Sequence, residues 1–345
     1  MNRTFDVAIV GAGFAGSILA WILSRSGMRV ALIDAATHPR FAIGESSTPI
    51  ADMILRRLSR VYGLSELHEL ATWGNWQKSF PELACGRKRG FSYYQHQSGQ
   101  SFDESHLGRR SLLIAASPTD AVSDTHWYRP DVDQFLFQHA VSSGATDMSA
   151  HHVDAVRIRA NEGPRFEIEC TNPLGTQQLA SDWLIDASGA SAITARLTHS
   201  EELTASLLTC TQSTYAHYRN VGSWTAQLQR EGHDTRVDPF DGDDAAQHHL
   251  LQHGWLWMLR FNNGVTSVGQ TTPMSRSLES QNLRPQSLDA YPSLSSIMSQ
   301  ATVVAPESGP RTTKRLQHLV DPVPGERHLL LPTAALTLDP LHSTG

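Results

Sequence analysis

The chain has 345 residues, which is enough for one large domain or two coupled domains with a sizeable core. Its 28 Lys and Arg against 34 Asp and Glu give a net charge of −6 without a basic run, so a nucleic-acid partner is not expected. The three cysteines are widely spaced, which fits neither a disulfide framework nor a zinc site and favours a reducing cytoplasm. No apolar run approaches the roughly 20 residues of a membrane span, and the first predicted strand leaves no room for a signal peptide.

An apolar segment at residues 5–10 predicts the first strand, and it leads directly into Gly-Ala-Gly-Phe-Ala-Gly at residues 11–16. The apolar spacing that follows predicts a helix, and residues 30–34 predict a second strand that ends in an acid. This order of strand, turn, helix and strand is the context in which Gly-x-Gly-x-x-Gly binds a dinucleotide. The alternative is a turn of a parallel sheet that only resembles such a site.

Each glycine of this turn has a physical role in dinucleotide binding. Gly11 permits the tight turn, Gly13 lets the backbone approach a pyrophosphate, and Gly16 lets helix and strand pack closely. The N-terminus of the following helix offers free N–H groups to the phosphates. Asp34 lies roughly twenty residues further on, where a carboxylate can accept both ribose hydroxyls.

A second candidate contact is Gly-Glu-Ser-Ser-Thr-Pro at residues 44–49, ahead of an amphipathic pattern that predicts a helix over residues 50–62. Pro49 and the three hydroxyl residues before it are ordinary capping signals. Gly44 and Glu45 before a helix start also suit a contact with an anion or a flavin. Both interpretations are open on the sequence.

The middle of the chain gives simpler signals. Residues 90–94 predict a strand, and residues 131–142 predict a helix with one apolar face. Residues 97–126 are polar and are expected to form a long excursion over the surface. Residues 183–189 predict an apolar strand that ends at Asp186 and a glycine turn.

Two antiparallel hairpins are also predicted. One joins residues 152–158 to residues 165–170 through Asn-Glu-Gly-Pro, and the other joins residues 255–261 to residues 265–271 through Asn-Asn-Gly. A nicotinamide-binding domain would continue with regular βα units. The early hairpin therefore favours FAD over NAD.

Four segments, spread over the whole chain, resemble those of the flavin-dependent halogenases and their single-domain flavin monooxygenase relatives. They are the glycine turn at residues 11–16, the segment 44–49, Ile-Asp-Ala-Ser-Gly at residues 185–189, and Asp-Pro-Leu-His-Ser-Thr-Gly at residues 339–345. The resemblance implies an α/β fold with FAD as cofactor. It consists of a Rossmann-like FAD-binding domain of the glutathione-reductase type, in three layers, with an interleaved antiparallel-sheet substrate domain.

The resemblance also implies domain boundaries and a cofactor site. The FAD-binding domain is expected at residues 1–80, 126–198 and 306–345, and the substrate domain at residues 81–125 and 199–305. The expected cofactor-binding residues are Gly11, Gly13, Ala15, Gly16, Asp34, Arg40, Glu45, Ser46, Ser47, Arg129, Asp186, Gly189, Thr333, Asp339 and Pro340.

Four further residues are candidates for the reaction itself. In the family a lysine at the start of a strand like residues 88–94 guides hypohalous acid, which makes Lys88 the candidate; a solvated surface lysine is the alternative. His342 stands where tryptophan-acting members have a glutamate, which argues against free tryptophan as substrate. It is a candidate acid or base, or it only packs beside the flavin. The halide is expected on the backbone N–H groups of Thr344 and Gly345.

The chain departs from the family pattern at three points. The Trp-x-Trp-x-Ile-Pro signature of halogenases appears at residues 255–260 as Trp-Leu-Trp-Met-Leu-Arg, which also suits an aromatic core hairpin. The Gly-Asp-Ala-Ala flavin motif appears at residues 332–335 as Pro-Thr-Ala-Ala, so Thr333 offers a hydroxyl in place of a carboxylate. Relatives continue past Gly345 into a helix that faces the flavin, which suggests a truncated form.

Together these features predict an FAD-dependent oxidoreductase that halogenates an electron-rich aromatic substrate, either small and free or carrier-bound. It would use O₂, a halide ion and reduced FAD from a separate flavin reductase. One alternative is an FAD-dependent monooxygenase without halogenation, and another is a truncated, non-catalytic flavoprotein. A cytoplasmic location is expected, without a metal, a nucleic acid or a membrane span.

Overall fold

The computed structural model of the protein describes residues 3–104, 110–159, 163–274, 288–321 and 325–342. Its strands, in chain order, are β1 (Arg3–Val10), β2 (Val30–Asp34), β3 (Cys85–Lys88), β4 (Gly90–Gln95), β5 (Ser111–Ala115), β6 (Asp124–Trp127), β7 (Thr146–Ser149), β8 (His152–Ile158), β9 (Phe166–Asn172), β10 (Gly175–Asp186), β11 (Thr211–Arg219), β12 (Ala245–Leu251), β13 (Gly254–Arg260), β14 (Thr266–Pro273), β15 (Thr302–Ala305), β16 (Arg311–Thr312), β17 (His318–Leu319), β18 (His328–Leu330) and β19 (Leu336–Thr337). The α-helices are α1 (Phe14–Arg25), α2 (Pro49–Tyr62), α3 (Ser65–Glu69), α4 (Trp73–Ser79), α5 (Arg129–Ser142), α6 (Ile193–Leu197), α7 (Trp224–Arg230), α8 (Pro292–Met298) and α9 (Pro332–Ala335). Within the described ranges, no helix combines the length and the apolar character needed to cross a membrane.

The first sheet is parallel at its centre and antiparallel on one side. Its order is β7-β2-β1-β10-β9-β8, and β18 pairs with the C-terminal residues of β10. β1 runs parallel to β2 and β10, whereas β8 and β9 form the predicted antiparallel hairpin. The C-terminal ends of β1, β2, β10 and β18 therefore lie at one edge of the sheet, where α/β folds bind their ligands.

The alternation along β1 explains how this sheet acquires a core on both faces. Val7 and Ile9 pack in a cluster with the helix residues Trp21 and Leu136. Ala8 and Val10 point the other way and join a second cluster with residues of β2, β7, β9 and β10. Successive strand residues face opposite sides, so both faces of the sheet carry a core. The predicted α/β class is thus confirmed.

The second sheet is antiparallel except at one strand pair. Its order is β15-β11-β14-β13-β12-β4-β5, with β16 beside β11, and only β12 and β4 are parallel among these described pairs. The predicted hairpin of β13 and β14 is present, and the Phe261 N–H donates to the Val265 carbonyl at its turn. Leu256 and Met258 face one apolar cluster, whereas Trp255 and Trp257 face the opposite side.

A two-stranded sheet of β3 and β6 places Lys88 directly opposite Asp124. Within the predicted surface excursion of residues 97–126, β5 joins the second sheet as a largely exposed strand. The expectation was wrong for residues 123–126, which are buried. The polar composition of this segment was misleading, because its buried polar residues lie at the candidate active site and not on the solvated surface.

Helix α2 begins as its capping signals predict. Pro49 lies in its first turn, and the Thr48 hydroxyl accepts a hydrogen bond from the Ala51 N–H at 3.4 Å. The buried face of α2 carries Asp52 in the first turn as well as the apolar Leu55. The apolar residues that this helix exposes are Ile50, Met53, Ile54, Val61 and Tyr62.

Candidate active site

The glycine turn after β1 is required by close backbone packing. Gly11 has a φ of +111°, and a Cβ there would lie 2.3 Å from the Ala187 carbonyl oxygen. A Cβ on Gly16 would lie 2.0 Å from the Gly11 carbonyl oxygen. Both glycines therefore allow α1 and the turn after β10 to approach β1, as the sequence pattern requires.

Gly13 has a different environment, which we call the anion cradle: the N-terminus of α1 at Gly13 and the guanidinium groups of Arg40 and Arg129. A Cβ on Gly13 would lie 3.4 Å from Arg40 Nη2 and 3.5 Å from Arg129 Nη2. Gly13 is the N-cap of α1, and among the described residues no side chain caps it. Free N–H groups, a helix dipole and two cations together favour a bound anion.

Arg129 is held firmly beside this cradle. Its Nε and Nη2 donate to the two carboxylate oxygens of buried Asp133 at 2.7 and 2.8 Å. Its Nη1 donates to the carbonyls of Ile43 and Gly44 at 2.7 and 3.0 Å. A bidentate ion pair of this kind fixes the guanidinium plane, so α5 carries a pre-oriented cation to the loop before α2.

Asp34 lies at the end of β2 beside the same cradle. Its carboxylate accepts hydrogen bonds from the N–H groups of Ala12 and Ala36 at 2.8 and 2.9 Å. Arg40 Nη2 lies 3.3 Å from it. Because the side chain is only partly buried, lone pairs remain for the ribose hydroxyls that the sequence pattern predicts.

Asp186 shapes the turn after β10. Its buried carboxylate accepts from the N–H and hydroxyl groups of both Ser188 and Thr194, at 2.6 to 2.9 Å. A direct contact of this carboxylate with a cofactor stays a prediction, because these donors already surround it. Gly189 follows with a φ of +62°, and a Cβ there would lie 4.0 Å from Thr333 Cγ2, so the 186–189 and 332–335 segments meet at this sheet edge.

The segment before α2 contacts the second sheet. Glu45 Oε1 lies 2.6 Å from Nε2 of His217 on β11, and both side chains are buried. The Trp127 N–H donates to the Glu45 carbonyl at 2.6 Å. Ser47 and Thr125 exchange two hydrogen bonds at 3.0 Å, which joins this segment to β6. Capping of α2 is thus only one of the roles of residues 44–49.

Lys88 is fully buried at the end of β3, so the solvated-surface alternative was wrong. Its ammonium group donates to the Ser47 carbonyl and lies 4.1 Å from the centroid of the Phe91 ring. Burial lowers the pKa of Lys88 to about 8, against the opposing charges of Asp124 and Asp52. A lysine with this pKa can hold or release a proton near neutral pH.

Phe91 packs against a buried apolar cluster, and we call the aromatic residues Phe91, Tyr215, Trp255 and Trp257 of this group the aromatic face. The ring centroids of the two tryptophans lie 5.7 Å apart. Trp257 lies directly against the strand opposite it, where a Cβ on Gly269 would be 2.1 Å from the indole. The aromatic face therefore lies beside Lys88, which contacts Phe91, and it follows β13.

The C-terminal segment lies against this face. Leu341, in a 3₁₀ turn at Pro340–His342, packs on the aromatic face, and Asp339 accepts a hydrogen bond from the Thr211 hydroxyl at 3.1 Å. For His342 the structure describes the backbone alone. The predicted halide residues Thr344 and Gly345 lie outside the described residues.

Three buried residues at this site were not among the predicted ones: Asp52, Asp124 and His217. Asp52 lies in the first turns of a helix, where an acid is ordinarily explained by the helix dipole. Asp124 and His217 stand in polar stretches that give no signal in the sequence. Only the pairing of distant segments brings them to Lys88 and Glu45.

Comparison with known proteins agrees with this geometry. The family described as FAD dependent oxidoreductase matches residues 6–334. The chain is 28% identical to tetracycline 7-halogenase of Kitasatospora aureofaciens, over 100% of this chain and 61% of that protein. It is also 28% identical to monodechloroaminopyrrolnitrin halogenase PrnC of Pseudomonas fluorescens, over 100% of this chain and 59% of that protein.

A solved structure gives the same result. The crystal structure of halogenase PltM in complex with phloroglucinol and FAD matches with a TM-score of 0.83 and 27% identity, over 98% of this chain and 66% of that one. The chain thus spans about 60% of the length of the curated relatives named above. The predicted resemblance to flavin-dependent halogenases and the predicted FAD cofactor are confirmed. The chain belongs to the family of FAD-dependent oxidoreductases.

Proposed function

We propose that this chain halogenates an electron-rich aromatic substrate with bound FAD. The observation that carries the proposal is the position of Lys88, which is buried between the segment before α2 and the aromatic face. Buried lysines are rare because removal of an ammonium group from water is costly. One that lies beside a candidate flavin segment and an aromatic surface is suited to a reaction.

The residues of the chain fit FAD. The anion cradle would hold the pyrophosphate, since the N-terminus of α1 and the two guanidinium groups meet at Gly13. Asp34 would hold the ribose of the adenosine half. The flavin half would extend along the sheet edge where Gly189 and Thr333 meet. Reduced FAD, when bound, supplies the electrons that activate O₂ and so the oxidising power for halide.

Lys88 then directs the oxidised halide towards the substrate. Below a pH of about 8 its side chain is mainly an ammonium group, which can donate hydrogen bonds and a proton to hypohalous acid. The Phe91 ring and the Ser47 carbonyl fix where this group lies. The buried environment keeps the oxidant from escaping into bulk water before it reaches the substrate.

The aromatic face is the proposed substrate surface. Aromatic rings stack on such surfaces, and they bring an electron-rich carbon within reach of a cation beside them. We propose that His342, Thr344 and Gly345 complete this site as acid or base and as halide ligands. The same proposal includes a halide ion as substrate, a separate flavin reductase that supplies reduced FAD, and a cytoplasmic location.

The departure from the Trp-x-Trp-x-Ile-Pro signature favours a second candidate, a monooxygenase without halogenation. In this chain Arg260 replaces the proline, and its guanidinium group donates to Asp243 at 3.0 Å and to the Gly222 carbonyl at 2.5 Å. The position thus anchors β13 to neighbouring loops. Product analysis therefore has to decide between halogenation and oxygenation without halide.

The two lobes are proposed to follow the two sheets. Strands of residues 3–34, 146–186 and 328–330 form the first sheet. β16 pairs with β11 in the second sheet, so we propose that the substrate lobe extends to residue 312 and not only to residue 305.

The test is product analysis with the purified chain, FAD, a separate flavin reductase, NADH, O₂ and bromide. Phloroglucinol, the ligand in the PltM structure, is the first probe. Mass spectrometry of a brominated product with the bromine isotope pair would support halogenation. An oxygen added without bromine would support the monooxygenase, and a colourless protein that takes up no FAD would support a non-catalytic flavoprotein.

A further inference from the structure

Two buried carboxyl groups lie next to Lys88, and the proposed reaction assigns them no role. Asp52 comes from α2 and is 2% exposed, and Asp124 comes from β6 and is 3% exposed. Both side chains line the same cleft, and the charge of Asp124 acts on Asp52. We call these two residues the carboxyl pair. Two carboxylates so close and so buried cannot both be ionised without a large energetic cost.

Unsatisfied oxygen atoms show the same problem at the atomic level. Asp52 Oδ1 and Asp124 Oδ2 are buried without a hydrogen-bond donor in the described part of the chain. Burial raises the pKa of Asp52 to about 8, and the charge of nearby Asp124 adds to the shift. Burial raises the pKa of Asp124 as well, against the charge of Lys88. One proton between the two groups resolves this arrangement.

The other charged and titratable groups around the carboxyl pair come from α2, β3 and β6. Arg56 lies 4.0 Å from Asp52 and is partly exposed, so water screens its charge. His126 is buried, and burial lowers its pKa to about 3, so it is neutral at physiological pH. Lys88 is then the one buried cation that these elements direct to the carboxyl pair among the described residues.

The carboxyl pair also borders solvent. A cleft of about 440 Å³ is lined by Asp52, Asp124 and Arg56, together with residues of α4 and of the loop before β6. Lys88 is not among its lining residues in the part of the chain described.

We propose that Asp52 and Asp124 share one proton and act together as a single negative charge that sets the protonation of Lys88. Both acids are positioning residues, because they act through Lys88. The catalytic consequence rests on the proposed function.

The sequence makes a direct test practical, because it contains only three lysines, Lys78, Lys88 and Lys314. In protein labelled with ¹⁵N-lysine, the side-chain signals can be assigned with Lys78→Arg and Lys314→Arg, since both residues are exposed. A pH titration of the Lys88 signal then measures its pKa in the full chain. No substrate, halide or turnover is needed.

Carboxyl-to-amide variants distinguish one shared charge from two separate charges. In Asp52→Asn or Asp124→Asn, the remaining acid ionises alone and keeps one negative charge, so the pKa of Lys88 should fall by less than about half a unit. In the double variant that charge is lost, and the pKa should fall by about one unit or more. Asp154→Asn, an exposed acid on β8, is the matched control and should leave the pKa unchanged.

Two results would overturn the proposal. Large, additive shifts in the single variants would show two independent carboxylates, and an unchanged pKa in the double variant would show that the carboxyl pair has no control over Lys88. Infrared spectroscopy of the unaltered protein provides a second measurement, which does not depend on the folding of a variant. A carbonyl stretch of a protonated carboxylic acid at neutral pH, which disappears on alkaline titration, is expected; its absence would contradict the shared proton.

The halogenation assay adds a separate readout. If the chain halogenates, the double variant should move the alkaline limb of the pH–rate profile in the same direction as the pKa of Lys88. If the chain does not halogenate, the NMR and infrared results still decide whether the carboxyl pair shares a proton. Failure of the proposed function and failure of this inference are therefore distinguishable.

Discussion

Lys88 donates a hydrogen bond from its ammonium group to the backbone carbonyl of Ser47, 41 positions earlier in the chain. Ser47 in turn exchanges hydrogen bonds with Thr125 on the strand paired with Lys88. The segment before α2, a candidate flavin contact, is therefore connected directly to the candidate catalytic lysine. A change in the backbone of this segment will move the ammonium group.

Substitutions at two glycines separate cofactor binding from folding. Gly16→Ala should lower the melting temperature and abolish FAD binding, because its Cβ would lie 2.0 Å from the Gly11 carbonyl oxygen. Gly13→Ala should fold normally, since the nearest neighbours of the new methyl group are two arginine side chains at 3.4 and 3.5 Å, which is ordinary van der Waals contact. Its methyl group would nevertheless occupy the space of the pyrophosphate, so FAD affinity should fall about tenfold or more. Thermal unfolding and FAD titration measure the two effects; normal FAD affinity in Gly13→Ala would contradict the site.

The two arginines of the anion cradle should behave differently. Arg40→Met should leave stability nearly unchanged and weaken FAD binding by roughly 1.5–3 kcal/mol, the usual contribution of a hydrogen bond to a charged group. Arg129→Met should destabilise the fold by about 3–5 kcal/mol, because it leaves buried Asp133 without its partner. Urea unfolding and FAD fluorescence titration check both variants. Equal FAD affinity of Arg40→Met and the unaltered protein would remove Arg40 from the site.

The sequence predicts those features that depend on local sterics. Gly11 and Gly16 can be recognised because no other residue fits their turn, and the β13–β14 hairpin because Asn-Gly accepts its positive φ. The carboxyl pair cannot be recognised in this way. Asp52 resembles an N-terminal helix acid, and Asp124 lies in a polar stretch, so only the tertiary structure shows that they meet.

The position of Lys88 shows the same limit. Flanked by Arg87 and Arg89, it resembles part of a solvated basic surface, yet both arginines bind Asp120 while Lys88 is buried. The alternation of β3 explains why Arg87 and Lys88 differ, since neighbouring strand residues face opposite sides. Such an alternation becomes informative only when the boundaries of a short strand are known.

The carboxyl pair should also affect stability in a pH-dependent manner. The pKa of Asp52 is raised in the folded state to about 8, so its contribution is complete below the ordinary carboxyl range and is lost as the pH rises towards 8. Asp52→Asn removes this titration. The free energy of unfolding of the variant relative to the unaltered protein should therefore increase by roughly 1–3 kcal/mol between about pH 5 and about pH 8.

Urea unfolding at several pH values measures this difference. Lys88 does not obscure it, because its lowered pKa makes the folded state more stable only as the pH rises above about 8. Asp154→Asn should show a constant difference over the same range. A pH-independent difference for Asp52→Asn would contradict a raised pKa at this position.

The most direct test is the amount of brominated phloroglucinol formed by the unaltered chain and by Lys88→Ala, each loaded with FAD. We predict bromination by the unaltered protein and a loss of roughly 100-fold or more in Lys88→Ala, with equal flavin content. Lys78→Ala, which alters an exposed lysine, should brominate normally. Bromination by Lys88→Ala at the rate of the unaltered protein, or none by the unaltered protein, would contradict halogenation through Lys88.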